Sequence, residues 1–158
     1  MRIQGSAGVV PIECVNPRKD TWRVRWDIQE TDGTATYEEA EFDHRPTVEE
    51  VRATIIAWHN ARIEAQITDG FRWEDVPVWL SSENQFNYKA AFDLAVQTEG
   101  ANLPVVFKLG TDEKPVYREF ATLDELKAFY SAAMAHVQHT LAAGWEAKDG
   151  IDYGRYVV

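Results

Sequence analysis

A chain of 158 residues with 45% hydrophobic and 12% aromatic side chains has the material for a buried core, which excludes wholesale disorder. Its formal net charge of −10 argues against nonspecific attachment to a nucleic-acid backbone, and its single cysteine, Cys14, rules out an internal disulfide. No apolar stretch approaches a membrane span and the first residues lack a signal peptide's apolar core, so no membrane partner and a reducing cytoplasm are expected.

Residues 9–15 read as a strand holding Cys14, and a lone cysteine in such an apolar run is usually a small hydrophobe. Asn16-Pro17-Arg18-Lys19-Asp20 reads as a turn. The clearest strand follows: Trp22, Val24, Trp26 and Ile28 alternate with Arg23, Arg25, Asp27 and Gln29, an apolar face and a charged one. Asp32-Gly33 turns the chain. The return strand, Thr34 to Phe42, alternates poorly, the mark of an edge strand or a bulge.

Charge is uneven across this region. Residues 1–26 carry Arg2, Arg18, Lys19, Arg23 and Arg25 against Glu13 and Asp20, while residues 27–50 carry nine carboxylates against Arg45 alone. The ordinary reading is a solvated acidic face. The sharper one is a basic edge that meets an acidic surface on a neighbouring copy.

Thr47 with Glu50 opens a helix to about Thr68, with Val48, Val51, Ile55, Trp58 and Ile63 as its buried stripe. Asp69-Gly70 ends it, and a hairpin from Phe71 to Leu80 turns at Glu74-Asp75. Ser82, with Gln85 three residues on, starts a second helix whose Tyr88, Ala91, Phe92, Ala95 and Val96 share a side. Gly100 closes it. A strand from Leu103 to Leu109 and its return, Val116 to Phe120, flank a polar turn. Thr122 with Glu125 opens the longest helix, with Leu123, Leu126, Tyr130, Val137, Leu141 and Trp145 as its seam. Residues 151–158 form a short aromatic tail.

The expected fold class is α+β, with three units of strand pair then helix, mostly antiparallel sheet packed with three helices. Residues 1–150 are expected as a single domain, sheet-rich to about residue 67. Three strand-to-helix corners with one capping pattern punctuate it, and chance produces that pattern often enough that it signals architecture rather than duplication.

Catalytic signatures are missing: no phosphate-binding glycine loop, nucleophile elbow, zinc-protease helix or paired cysteines. His136 and His139 stand three apart on the last helix, a spacing that suits a metal, but no third ligand is evident and border positions explain them as well. His59 reads as a rim histidine, and His44 has no nominated partner. Glu74 and Asp75, flanked by Trp73 and Trp79, carry the elements of a sugar-cleaving pair, against the plainer reading of two solvated turn acids. Asn84 and Asn87 suit either a surface or a ligand. No cofactor and no metal is expected.

The hairpin Phe71-Arg72-Trp73…Val78-Trp79-Leu80, the helix start Ser82-Glu83-Asn84-Gln85-Phe86-Asn87-Tyr88-Lys89-Ala90-Ala91, and a last helix with His136-Val137-Gln138 closing in Gly144-Trp145-Glu146-Ala147-Lys148 carry a resemblance. From about Thr68 to Asp152 the chain resembles an uncharacterised domain family of bacteriophages and prophages, often encoded near tail or tail-fibre genes. The resemblance implies a non-catalytic tail-associated structural or assembly protein, made in the host bacterial cytoplasm during assembly, with the virion as a second location. Its implied partners are other phage tail proteins or copies of itself, with no nucleic acid. Tyr153, Tyr156 and Val158, with Arg23, Arg25 and an exposed edge near Thr34–Phe42, are the expected contact residues; for the tail, docking on its own domain is the alternative. Two other functions remain open: an acidic inhibitor that mimics nucleic acid on a host protein, and a small cell-envelope glycan hydrolase.

Overall fold

A computed structural model describes residues 2–158. In chain order the elements are β1 (Ile3–Ser6), β2 (Ile12–Asn16), β3 (Thr21–Thr31), β4 (Thr34–Phe42), α1 (Val48–Asp69), β5 (Phe71–Trp73), β6 (Val76–Val78), α2 (Ser82–Gln97), β7 (Val105–Gly110), β8 (Pro115–Phe120), α3 (Leu123–Asp149) and a single 3-10 turn over Tyr153–Tyr156. The fold is α+β. Strand pairs precede each of the three helices, and all strand pairings among the described residues are antiparallel. They form one four-stranded sheet in the order β1-β4-β3-β2 and two separate hairpins. The chain divides into two compact units, residues up to His59 with Lys148–Val158, and Asn60–Ala147.

In the first unit the sheet buries one face. Trp22, Val24 and Trp26 lie on it because alternate residues of a strand share a side, and their cross-strand partners are Phe42, Ala40 and Glu38. Val51 and Ile55, one turn apart on α1, are essentially inaccessible and complete this core with Ile12 and Tyr156. Fully burying one such aliphatic side chain contributes roughly 1.5–3 kcal/mol.

Ile28 does not join that face. Trp26 pairs with Glu38 but Gln29 pairs with Thr36, so β3 holds one residue more than β4 between these pairs. Asp27 takes up the extra residue at φ 49°, and beyond it each side chain changes face. The expected edge at Thr34–Phe42 is also corrected. β4 is an inner strand, with β1 paired to it from Ile3↔Tyr37 to Ser6↔Thr34, and the sheet's open edges are β1 and β2. Its weak alternation arises because both its faces are partly covered: Ala35 and Glu38, on opposite faces, are both buried. The first predicted strand begins later, at Ile12, and β1 had no alternating apolar pattern to announce it.

The second unit is built on aromatic packing. Phe129 is fully buried, with the rings of Phe120 and Tyr88 at 5.0 Å and those of Trp73 and Phe107 at 5.5 and 5.7 Å. The buried seam of α3 runs through Leu126, Phe129 and Ala133, not through Trp145, which is 54% exposed. The neighbouring Gly144 takes the inward place, so close to Ile63 that a Cβ there would overlap the isoleucine's Cγ1 and Cδ1. Likewise Val96 of α2 points outward, while Tyr88 and Ala95 are buried.

One corner carries the full reciprocal cap and another a variant of it. Thr47 N–H donates to Glu50 Oε2 at 2.8 Å while Glu50 N–H donates to Thr47 Oγ1 at 3.2 Å. At α3, Glu125 N–H donates to Thr122 Oγ1 at 3.2 Å, and Glu125 Oε2 accepts from Ala121 N–H at 3.0 Å. At α2 the cap is Ser81, not Ser82. Ser81 is extended, its Oγ accepts from Asn84 N–H at 3.2 Å, and Gln85 Nε2 donates to Leu80 O at 2.9 Å.

Candidate functional site

The corner at α2 forms one wall of a cleft of about 460 Å3 in the second unit. Val78 and Leu80 are buried, so alternation turns Trp79 outward, leaving it 53% exposed. Its position is fixed from three sides: Asn84 Nδ2 donates to Trp79 O at 2.8 Å, Leu80 N–H donates to Thr68 O at 3.0 Å, and the buried neighbours anchor the strand. Asp69, the last residue of α1, adds a carboxylate.

The facing wall is the turn between β7 and β8. Leu109 is buried, Lys108 points out, and its Nζ lies 3.5 Å from Asp112 Oδ1. Gly110 stands at φ 83°, where a Cβ would overlap the carbonyl of Lys114; only glycine fits there. Thr111 and Lys114 then close the turn with reciprocal backbone bonds of 3.2 Å.

Elsewhere on this unit several apolar side chains face solvent. Phe86 is 69% exposed on the side of α2 opposite Tyr88 and Ala95, with Leu94 two turns further on. On the hairpin, the outer face carries Val106 and Tyr117, the latter 68% exposed.

The five residues expected at a partner all lie in the first unit. Arg25 is 9% exposed, its Nε donating to Glu39 at 2.7 Å and its Nη1 to Glu13 at 2.9 Å and to Val10 O at 3.2 Å. Burial by itself lowers the pKa of this guanidinium, and the hydrogen bonds to Glu39 and Glu13 more than reverse that, leaving it raised. Arg23 is more open and lies 3.5 Å from Glu39 and 3.3 Å from Glu41. Tyr153 is half-buried under the guanidinium of Arg52, 4.5 Å from its ring centroid. Tyr156 is buried and donates to Arg25 O at 3.0 Å, whereas Val158 is exposed. The structure therefore joins Tyr156 to Arg25. The tail is a 3-10 turn opened by Asp152, whose Oδ1 accepts from Gly154 N–H at 2.9 Å.

The side chains that suggested chemistry are held structurally. His136 Nε2 lies 2.8 Å from Gln66 O, and its ring packs 5.6 Å from Phe71. Glu74 ion-pairs with Arg118 at 3.3 Å, and Asp75 forms the other half of a turn in which both residues have positive φ. His44 has found partners the sequence did not show: Nδ1 lies 2.9 Å from Asp43 and Nε2 3.0 Å from Glu50. The bond to Asp43, then that to Glu50, raises its pKa above the ordinary value of 6.5. Among the described residues no three His, Cys, Asp or Glu side chains converge as metal ligands, and no helix is long and apolar enough to cross a membrane.

Sequence reading placed Trp79 and Asn84 at a corner but not in a cleft. Asp69, Lys108, Thr111 and Asp112 carried no motif at all, since two segments about 40 residues apart, the end of α1 and the β7–β8 turn, bring them together. The one available signal was Trp79 itself, a large aromatic out of phase with its neighbours Val78 and Leu80.

The profile of a family described as Domain of unknown function (DUF4376) matches residues 47–155. No curated protein and no solved structure matches the chain.

Proposed function

The chain belongs to the DUF4376 family; we propose that it is a non-catalytic, tail-associated structural or assembly protein of a phage or prophage, acting through protein–protein contacts. The observation that carries this reading is the outward apolar side of α2, where Phe86 and Leu94 stand exposed inside the matched region. Large apolar groups on the solvent side of a helix whose other side already fills a core are characteristic of contact surfaces. The open edges β1 and β2 offer a second mode, strand addition, with Val10 and Val15 exposed beside and on β2. The other functions find less support. Asp27, Glu39 and Glu41 ion-pair with Arg2, Arg23 and Arg25, which neutralises three of the nine carboxylates in the acidic stretch that a nucleic-acid mimic would need. Glu74 is committed to Arg118 rather than free as an acid for sugar cleavage.

The test is quantitative peptide mass spectrometry on purified phage particles induced from the source organism, with copies referenced to the major capsid protein. A fixed copy number supports a virion component. Recovery instead in a lysate complex with tail proteins supports an assembly helper. Absence from both overturns the proposal.

A further inference from the structure

We propose that the cleft between Trp79 and the β7–β8 turn is a binding subsite for a neutral saccharide. The inference stands on the cleft and not on the tail-assembly reading. Its volume of about 460 Å3 lies within the range of small-ligand clefts.

Three features point to this ligand class. First, the indole of Trp79 is half exposed at the cleft while its backbone is held by buried neighbours and by Asn84, so the ring cannot withdraw into the core. A sugar ring has an apolar C–H face suited to stacking on such a surface, and a side chain with only two rotatable bonds loses little entropy on being covered. Second, the rim mixes complementary groups: Asp69 and Asp112 only accept hydrogen bonds, Lys108 only donates, and Thr111 does both. Hydroxyls that each donate and accept can bond to all of them in place of water.

Third, charge narrows the class. Two carboxylates face one ammonium, so the field disfavours a phosphate, a sulfate or a uronate. Lys108, beside Asp112, offsets one of the two carboxylates, which leaves only a weak net negative field at an open rim. Its Nζ sits 3.5 Å from an Asp112 side chain that is fully exposed, so both can turn toward a bound ligand without disturbing the core. The turn beneath them is fixed by Gly110 and by the paired bonds of Thr111 and Lys114.

The test is saturation-transfer NMR on the full chain with lactose, maltotriose and triacetylchitotriose as neutral probes and a hyaluronan tetrasaccharide as the anionic one. At least one neutral probe is expected to bind saturably at millimolar concentration. Trp79→Ala should weaken it by about tenfold or more with an unchanged circular dichroism spectrum. Asp112→Ala, at an exposed turn position, should also weaken it and decides the matter if the tryptophan variant misfolds. The proposal is overturned if no neutral probe saturates, if the anionic probe is preferred, or if the folded variants bind like the parent.

Discussion

The hydroxyl of Tyr156 donates to the backbone carbonyl of Arg25 at 3.0 Å, across 131 residues of sequence. The bond ties the 3-10 turn after α3 to the middle of β3, and burial of the phenol raises its pKa. The same arginine uses its guanidinium on the sheet's other face, so its backbone and side chain hold the two sides of one strand.

Removing that hydroxyl with Tyr156→Phe leaves a buried carbonyl without its donor and should cost about 1 kcal/mol. Tyr156→Ala should cost about 3 kcal/mol or more, because the ring also fills part of the first unit's core. Urea unfolding of both variants checks the order. Deleting residues 151–158 should lower the melting temperature of the isolated protein; an unchanged melt combined with lost assembly would instead make the segment a free arm.

Arg25→Met should destabilise far more than Arg23→Ala. The first leaves Glu39, whose side chain is only 13% exposed, with only the longer 3.5 Å contact to the more open Arg23, and costs about 3 kcal/mol. The second removes an open pair with Glu41 and a longer contact to Glu39, which keeps Arg25, and should cost less than about 1 kcal/mol. Equal losses in chemical denaturation would show that the buried pair is no more than a surface contact.

Gly144→Ala should destabilise the second unit by roughly 1–3 kcal/mol through overlap with Ile63. Ile63→Val, by withdrawing Cδ1, should recover part of that loss, so the double variant would be more stable than the sum of single effects implies. A strictly additive cycle would place the strain elsewhere.

His44 makes stability depend on pH. Its native pKa is raised, so its contribution is complete below 6.5 and is lost as pH rises through the native value. Asp43 and Glu50 have the opposite sign. The bond from His44 lowers Asp43, and the cap bonds from Thr47 lower Glu50, so their contributions hold above the ordinary carboxylate range and fade as pH falls through the native values. Melting curves of the parent and His44→Gln should diverge in mildly acidic buffer and converge at alkaline pH. Parallel curves would contradict this.

Phe86→Ser with Leu94→Ser should leave the melting temperature nearly unchanged, as both side chains already face water. Under the proposed tail role, incorporation into particles or capture by tail proteins should fall. A large loss of stability would show instead that these residues belong to the core.

Local chemistry was legible in the sequence by itself. Period-two and helical patterns located all three helices and most strands, and the caps at Thr47 and Thr122 formed as spacing required, because each joins residues three or four apart. What depended on distant partners was not legible. One extra residue at Asp27 turned Ile28 to the other face, β1 covered the strand expected as an edge, and Gly144 displaced Trp145 from the seam because Ile63 came too close. The cleft was hidden for the same reason. Its side chains come from residues 69–112, on a helix end, a helix start, a strand and its turn with no shared spacing, and only the packing of the core beneath Trp79 and Leu109 brings them together.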